Sequence, residues 1–240
     1  MKRLRLIAPL LVIAAILVAT VPAFAAKPNP TNLLATSWRV YNIMPATSSL
    51  WDINKAQYND GVLSFPFQRF DTTTSGSFAV YLLNNYNVDL TAKTITANVN
   101  WTPATTPTPY VTRGAATDGA YVRLEFQDVT AGHYDSNDYW WSTGSCDLNA
   151  LSSCTLTAAL TDRSLWTNQN GMSATDTTTN WTDWTGATVA LSPYDGFTKA
   201  MKNVKQVGLS FGRAGSYASG VAAVGTDQAV FNMTSFAIVP

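Results

Sequence analysis

Apolar and polar residues alternate with a period of two along several stretches of the chain, the pattern expected of strands with one buried face. The clearest is 94–101, where Ile95, Ala97, Val99 and Trp101 alternate with Thr94, Thr96, Asn98 and Asn100. In 121–127, Val122, Leu124 and Phe126 oppose Tyr121, Arg123, Glu125 and Gln127, and in 78–83 Phe78, Val80 and Leu82 share a face. The same pattern predicts strands at 139–142, 155–160 and 207–211, and a terminal pair at 229–231 and 234–239. One helical turn is predicted at 197–204, where Phe197, Ala200, Met201 and Val204 keep one-face spacing. Short strands joined by turn-rich loops, without alternating helices, predict an all-β fold: a sandwich or jelly roll with one short connecting helix.

Composition agrees with this. Polar positions are filled by Thr, Ser and Asn, and of the 15 acidic residues fourteen are Asp and one, Glu125, is Glu. Helices are usually surfaced with Glu, Lys and Arg, whereas Thr and the 28 aromatic residues suit pleated strands. The chain has 240 residues and a balanced 15 Lys plus Arg. Three of those cations, Lys2, Arg3 and Arg5, precede an apolar run at 6–19 and the small-residue site Ala23-Phe24-Ala25, which together read as a secretory signal covering 1–25. A short tail at 26–32 and one β-sandwich domain at 33–240 are expected to follow. Without the signal the chain is slightly acidic and has no basic cluster, which argues against nucleic acid as a partner. No later run approaches the roughly 18 apolar residues that a membrane span requires. A secreted, extracellular protein is therefore expected, and Cys146 and Cys154, the only cysteines, are expected to form a disulfide.

Catalytic chemistry finds little support. A hydrolase triad needs a base, and the one histidine, His133, lies in a predicted loop without a Gly-x-Ser-x-Gly elbow. Glycoside hydrolysis needs two carboxyl groups. Glu125 is one candidate, but Arg123 shares its face and is expected to pair with it and lower its pKa. Binding is better supplied. A sugar presents apolar C–H faces and a rim of hydroxyls, so it is recognised by aromatic rings beside planar hydrogen-bonding groups. The segment from Tyr134 to Ser142 holds both kinds, and strand alternation sends Trp140 and Trp141 to opposite faces, one to the core and one outward. Trp166 to Gly171 and Trp181 to Trp184 repeat the mixture in loops. In 207–211 and the residue after it, Gly208, Ser210 and Gly212 form a face of small residues. Two readings stand for it: a groove floor beside Arg123 and Gln127, or packing beneath a covering loop.

The segments Asp89 to Ala97, Tyr121 to Gln127, Asp138 to Ser142, Leu160 to Asn168 and Val207 to Arg213 resemble a group of secreted bacterial proteins of unassigned function. That group is similar to galactose-binding-like jelly rolls, the sandwich of many carbohydrate-binding modules. The resemblance implies a two-sheet antiparallel jelly roll and glycan binding, and it allows a structural calcium ion, although Asn232 and Thr234 stand where an Asp ligand is expected. The resulting expectation is a non-catalytic protein that binds an extracellular or cell-wall glycan through Arg123, Glu125, Gln127, Tyr134, Trp140 and Trp141. The alternatives are a glycoside hydrolase or polysaccharide lyase using Glu125, and a structural or adhesive surface protein.

Overall fold

The computed structural model describes residue 33 and residues 38–43, 50–70, 77–104, 109–114, 119–129, 135–225 and 228–240. The expected signal at 1–25, the tail at 26–32, His133 and Tyr134 lie outside the described residues. The chain forms an all-β sandwich with one short α-helix. The first sheet runs in the order β13 (Trp166–Asn168), β10 (Tyr139–Ser142), β9 (Tyr121–Gln127), β16 (Val204–Gly212), β6 (Phe78–Val88), β1 (Trp38–Ile43) and β2 (Leu50–Lys55). It is extended by β5 (Arg69–Phe70), β8 (Tyr110–Thr112), β11 (Cys146–Asp147) and β17 (Val221–Val224). The second sheet runs β12 (Ser153–Ala159), β7 (Thr94–Trp101), β18 (Val230–Val239), β4 (Val62–Pro66) and β3 (Gln57–Asn59). A ribbon of β14 (Trp181–Thr182) and β15 (Thr188–Val189) stands apart from both.

Alternation decides what lies between the sheets. Val122, Leu124 and Phe126 of β9 and Val207, Leu209 and Phe211 of β16 face Phe65, Ile95, Val99, Phe231 and Phe236 of the second sheet in one core. Aromatic edges interlock across the layers, with Trp38 and Phe236 at 5.1 Å, Phe211 and Phe231 at 5.1 Å, and Phe65 and Phe211 at 5.6 Å between centroids. Each such pair contributes about 0.5–1.5 kcal/mol beyond the area it buries. The Cys146–Cys154 disulfide ties β11 of the first sheet to β12 of the second, as the two cysteines predicted.

Several elements differ from their sequence expectation: β6 runs on to Val88 and β16 spans Val204–Gly212, both longer than expected. The helix, α1, is Pro193–Lys202 rather than 197–204. Ser192 caps it by accepting from the Asp195 N–H at 3.2 Å, and Pro193 occupies the first turn, where its missing N–H costs nothing. Val204 already belongs to β16. The expected terminal pair is a single strand, β18, with a register shift between Met233 and Ser235. That bulge resets the alternation and makes one strand read as two. The 155–160 strand begins two residues earlier, at Ser153. By contrast β7, β9 and β10 span the residues their alternation predicts.

Candidate functional site

The outer face of the first sheet is not a plain polar surface. Val80, Tyr81, Leu83 and Trp141 form a second apolar cluster, flanked by Tyr41, Ile43, Tyr139, Tyr217 and Ala218. Val80 therefore does not share a face with Leu82, which lies in the core between the sheets, because the register of β6 against β1 shifts beside it. Register explains the assembly. Gln127 of β9 lies opposite Tyr139 on one side and Gln206 on the other, and Glu125 lies between Trp141 and Gly208. Arg123 lies opposite Ser210. Two-residue alternation therefore places Arg123, Glu125, Gln127, Tyr139 and Trp141 on one surface, opposite the core.

A groove of about 1260 Å³ crosses this face. Its rings are Tyr41, Tyr81, Tyr139, Trp141, Trp184 and Tyr217. Four amides and two guanidiniums, Arg113 and Arg213, also line it; Gln169 and Gln206 are half-buried, whereas Gln127 and Asn168 are buried in its wall. No carboxylate lines it among the described residues. Nor do the described residues gather three or more His, Cys, Asp or Glu that could hold a metal ion. None of their helices is long and apolar enough to cross a membrane.

The floor is built and closed. Arg123, only 4 % exposed, lies under the Tyr217 ring with its guanidinium carbon 4.3 Å from the centroid, and 5.1 Å from the Tyr121 centroid. It also donates to the Arg213 carbonyl at 3.5 Å. Burial pushes its pKa down to about 10, against the opposing influence of Tyr217 and Tyr121. Glu125 is 0 % exposed. Its Oε1 accepts from Gln127 Nε2, while Oε2 and the nearby Trp141 indole N–H have no aligned hydrogen bond. Burial holds the carboxyl well above its ordinary range, although Gln127 and the Trp141 indole favour the charged form. The ion pair and lowered pKa expected from Arg123 do not form, because its guanidinium is engaged by the two tyrosines. Gly208 and Gly212 do not open onto the groove. A Cβ at Gly208 would run into the Leu82 carbonyl oxygen of β6, and one at Gly212 would strike the backbone of Ser216 and Tyr217. Close packing, not a groove floor, accounts for both glycines: the covering loop after β16 lies over Gly212, and the backbone of β6 lies against Gly208.

One rim of the groove comes from loops held by buried amides and carboxylates. Asn168, fully buried, accepts from the Asn170 and Met172 N–H groups, both at 3.0 Å, and donates to Asn137 Oδ1 at 2.9 Å. The Asn137 carbonyl in turn accepts from Trp140 Nε1 at 2.6 Å. In the ribbon loop Asp183 Oδ1 accepts from Thr185 Oγ1 at 2.6 Å, Thr185 N at 2.9 Å and Ala187 N at 3.0 Å. The Thr185 hydroxyl foremost, these bonds hold the Asp183 carboxyl below its ordinary range. Trp184 N donates to Asn170 Oδ1 at 2.7 Å, so the loop is fixed while the Trp184 side chain stays 64 % exposed.

Of the six residues expected to bind ligand, Gln127 and Trp141 line the groove. Arg123 and Glu125 lie beneath its floor, where they brace lining residues. Trp140 is a core residue, 5.0 Å from Phe197 between centroids, and is the inward member of the Trp140–Trp141 pair. Tyr134 lies outside the described residues. The sequence pattern does not single out Tyr41, Tyr81, Arg113, Gln206, Arg213 or Tyr217 as lining residues, since they reach one groove only through the fold. Trp184 and Asn168 fall in the two segments, 181–184 and 166–171, whose mixture of Trp, Asn and Asp does signal a site, although each segment begins as a short strand, β14 and β13, rather than as the loop expected. Comparison with family models, curated proteins and solved structures returns no match, so the site's own geometry carries its interpretation.

Proposed function

We propose that the protein is an exported, non-catalytic carbohydrate-binding sandwich whose ligand lies in the groove on the outer face of the first sheet. The observation that carries this reading is one groove that combines the largely exposed Trp184 ring with the half-buried Tyr139 and Tyr217 and the half-buried amides of Gln169 and Gln206. Rings accept the C–H faces of pyranoses, and amides donate to and accept from their hydroxyls. The resemblance to galactose-binding-like jelly rolls supports the same reading, and the signal-like start and the disulfide support export. The test is a glycan array probed with the protein lacking residues 1–25. Binding to a defined set of oligosaccharides is expected, and an array blank for every glycan would defeat the proposal.

One observation favours a second reading, a glycoside hydrolase or lyase. The Glu125 carboxyl is held above its ordinary range, as a general acid requires. Its full burial and the lack of a lining carboxylate among the described residues weigh toward the binder. Release of reducing ends from an array-positive polysaccharide, abolished in Glu125→Gln, would establish the enzyme instead.

A further inference from the structure

Unpartnered polar atoms are concentrated beneath the groove. Among the described residues seven buried side-chain nitrogen and oxygen atoms have no hydrogen-bond partner, and four of them, Arg123 Nε, Glu125 Oε2, Trp141 Nε1 and Ser210 Oγ, lie on the outer face of the first sheet. Their residues are at most 4 % exposed. Folded proteins leave few buried polar groups unpaired, because each loses its bonds to water without replacement. The four are also neighbours: Trp141 lies opposite Glu125, and Ser210 lies opposite Arg123 one alternation further along β9. Side chains paired in this way have Cβ atoms about 4.5–5.5 Å apart, and the Trp141 indole is near enough to the Glu125 carboxyl to favour its charged form. Tyr217 covers the strip, with its ring 6.1 Å from that of Trp141 and 4.3 Å from the Arg123 guanidinium carbon. Its loop is braced internally, the Arg213 N–H donating to the Ser216 carbonyl at 3.1 Å and the Ser219 N–H to the same carbonyl at 3.2 Å. The hydrogen bond from Arg123 to the Arg213 carbonyl, which ties the loop to the floor, is long at 3.5 Å. A loop braced in this way can shift as a unit.

Resting on the carbohydrate reading above, we infer that Trp141 and Glu125 form a hydroxyl-specific subsite: the Tyr217 ring moves aside and one sugar hydroxyl enters, accepting from Trp141 Nε1 and donating to Glu125 Oε2. Trp141 and Tyr217 both line the groove, so the subsite opens from the ligand's side. The indole N–H is a donor only, and Oε2 keeps lone pairs to accept in either protonation state of the carboxyl. A hydroxyl answers both from a single atom, whereas a ring or glycosidic oxygen only accepts. Gln127 donates to the other carboxyl oxygen, Oε1, and so fixes the group from the far side. Trp141 and Glu125 thus determine specificity. A sugar without the hydroxyl leaves both atoms unpaired and forfeits two hydrogen bonds. An acetamido group offers a donor and an acceptor on two atoms instead of one, and the experiment separates it from a hydroxyl.

The experiment is NMR titration of the isotope-labelled protein lacking residues 1–25 with cello-, manno-, galacto- and xylo-oligosaccharides, with the monodeoxy analogues of each, and with chito-oligosaccharides. The Trp141 indole N–H resonance is identified by its loss in Trp141→Phe, which keeps a ring in place. For the tightest-binding oligosaccharide that resonance should move downfield and exchange more slowly with solvent. One monodeoxy analogue should bind about 10-fold or more weakly and leave the resonance where it is in the free protein. Trp141→Phe should bind the parent and that analogue alike, since the pair's coupling is gone. Should the variant not fold, through-bond assignment identifies the resonance and the analogue series carries the test. An oligosaccharide that shifts the Trp184 indole resonance but not that of Trp141, or monodeoxy analogues that all bind as tightly as their parents, would overturn the subsite and leave the carbohydrate reading intact. A Trp141 shift produced by chito-oligosaccharides alone would overturn the hydroxyl assignment. No binding to any of these, alongside array binding to other glycans, would overturn the inference alone, while an array blank for all glycans would remove the reading it rests on.

Discussion

Glu125→Gln is expected to make the protein more stable, increasingly so as pH rises. The native carboxyl is 0 % exposed and has one protein hydrogen bond, from Gln127, so ionising it in place carries a desolvation penalty that the unfolded chain does not incur. Its folded pKa is raised above the ordinary value of 4.5. Between those two values the unfolded chain has released the proton that the native state still holds. Stability must then fall as pH rises, by about 1.4 kcal/mol per pH unit for one group. The contribution is fully present below 4.5 and is lost progressively until the pH reaches the raised folded value. The amide introduced by the substitution retains an oxygen for the Gln127 donor but cannot ionise, so the variant lacks this slope. Asp89, Asp176 and Asp183 have lowered pKa values and act with the opposite sign in acid. They are present in both proteins and cancel in the difference. Urea unfolding followed by tryptophan fluorescence from about pH 5 to 8 measures that difference directly. A stability gain for the variant that grows with pH by about 1.4 kcal/mol per unit over part of the range is the expected result. Parallel stability curves would show that Glu125 ionises without cost and refute the sealed floor.

Trp140→Ala should destabilise the protein by about 3–5 kcal/mol, because it empties a site between Phe197 and the buried Asn137 carbonyl, a loss that thermal or urea unfolding would reveal. Replacing Cys146 and Cys154 with Ser removes a bond that closes a loop of 8 residues' separation, for an expected loss of about 2–3 kcal/mol in the same assay. Gly208→Ala forces a methyl group onto the Leu82 carbonyl and should cost about 1–3 kcal/mol, whereas Gly215→Ala, whose Cβ meets open space, should be nearly neutral.

The parts of the fold that can be read from the chain are those where burial is uniform along one face. β7, β9 and β10 are such strands, and they include two of the strands that build the groove floor. β1 escapes the pattern because a polar residue, Asn42, follows Trp38 and Val40 on the buried positions while the apolar Tyr41 and Ile43 fall between them. β6 reads short because its far end, from Asn84 on, turns polar even though Asn84 itself is fully buried. Between Tyr41 and Asn42 the β1–β6 register also shifts, which hides the period from any local count. The site is half-visible in the same way, offering Gln127 and Trp141 through strand alternation. Arg123 and Glu125 fall on the right face, but which of that face's residues reach solvent depends on the Tyr217 loop, about ninety residues further along the chain. Arg113, Trp184 and Arg213 come together only through long-range pairing, which no local pattern records.

The central claim is that a carbohydrate occupies the groove over β9 and stacks on Trp184. Isothermal titration of an array-positive oligosaccharide into the unmodified protein and into Trp184→Ala tests it most directly, with melting temperature as the control for folding. The side chain is 64 % exposed, so its removal should leave the melting temperature unchanged while lowering affinity at least about 10-fold. Undiminished affinity in Trp184→Ala, Gln169→Ala and Tyr217→Ala alike would place the ligand elsewhere and contradict the account.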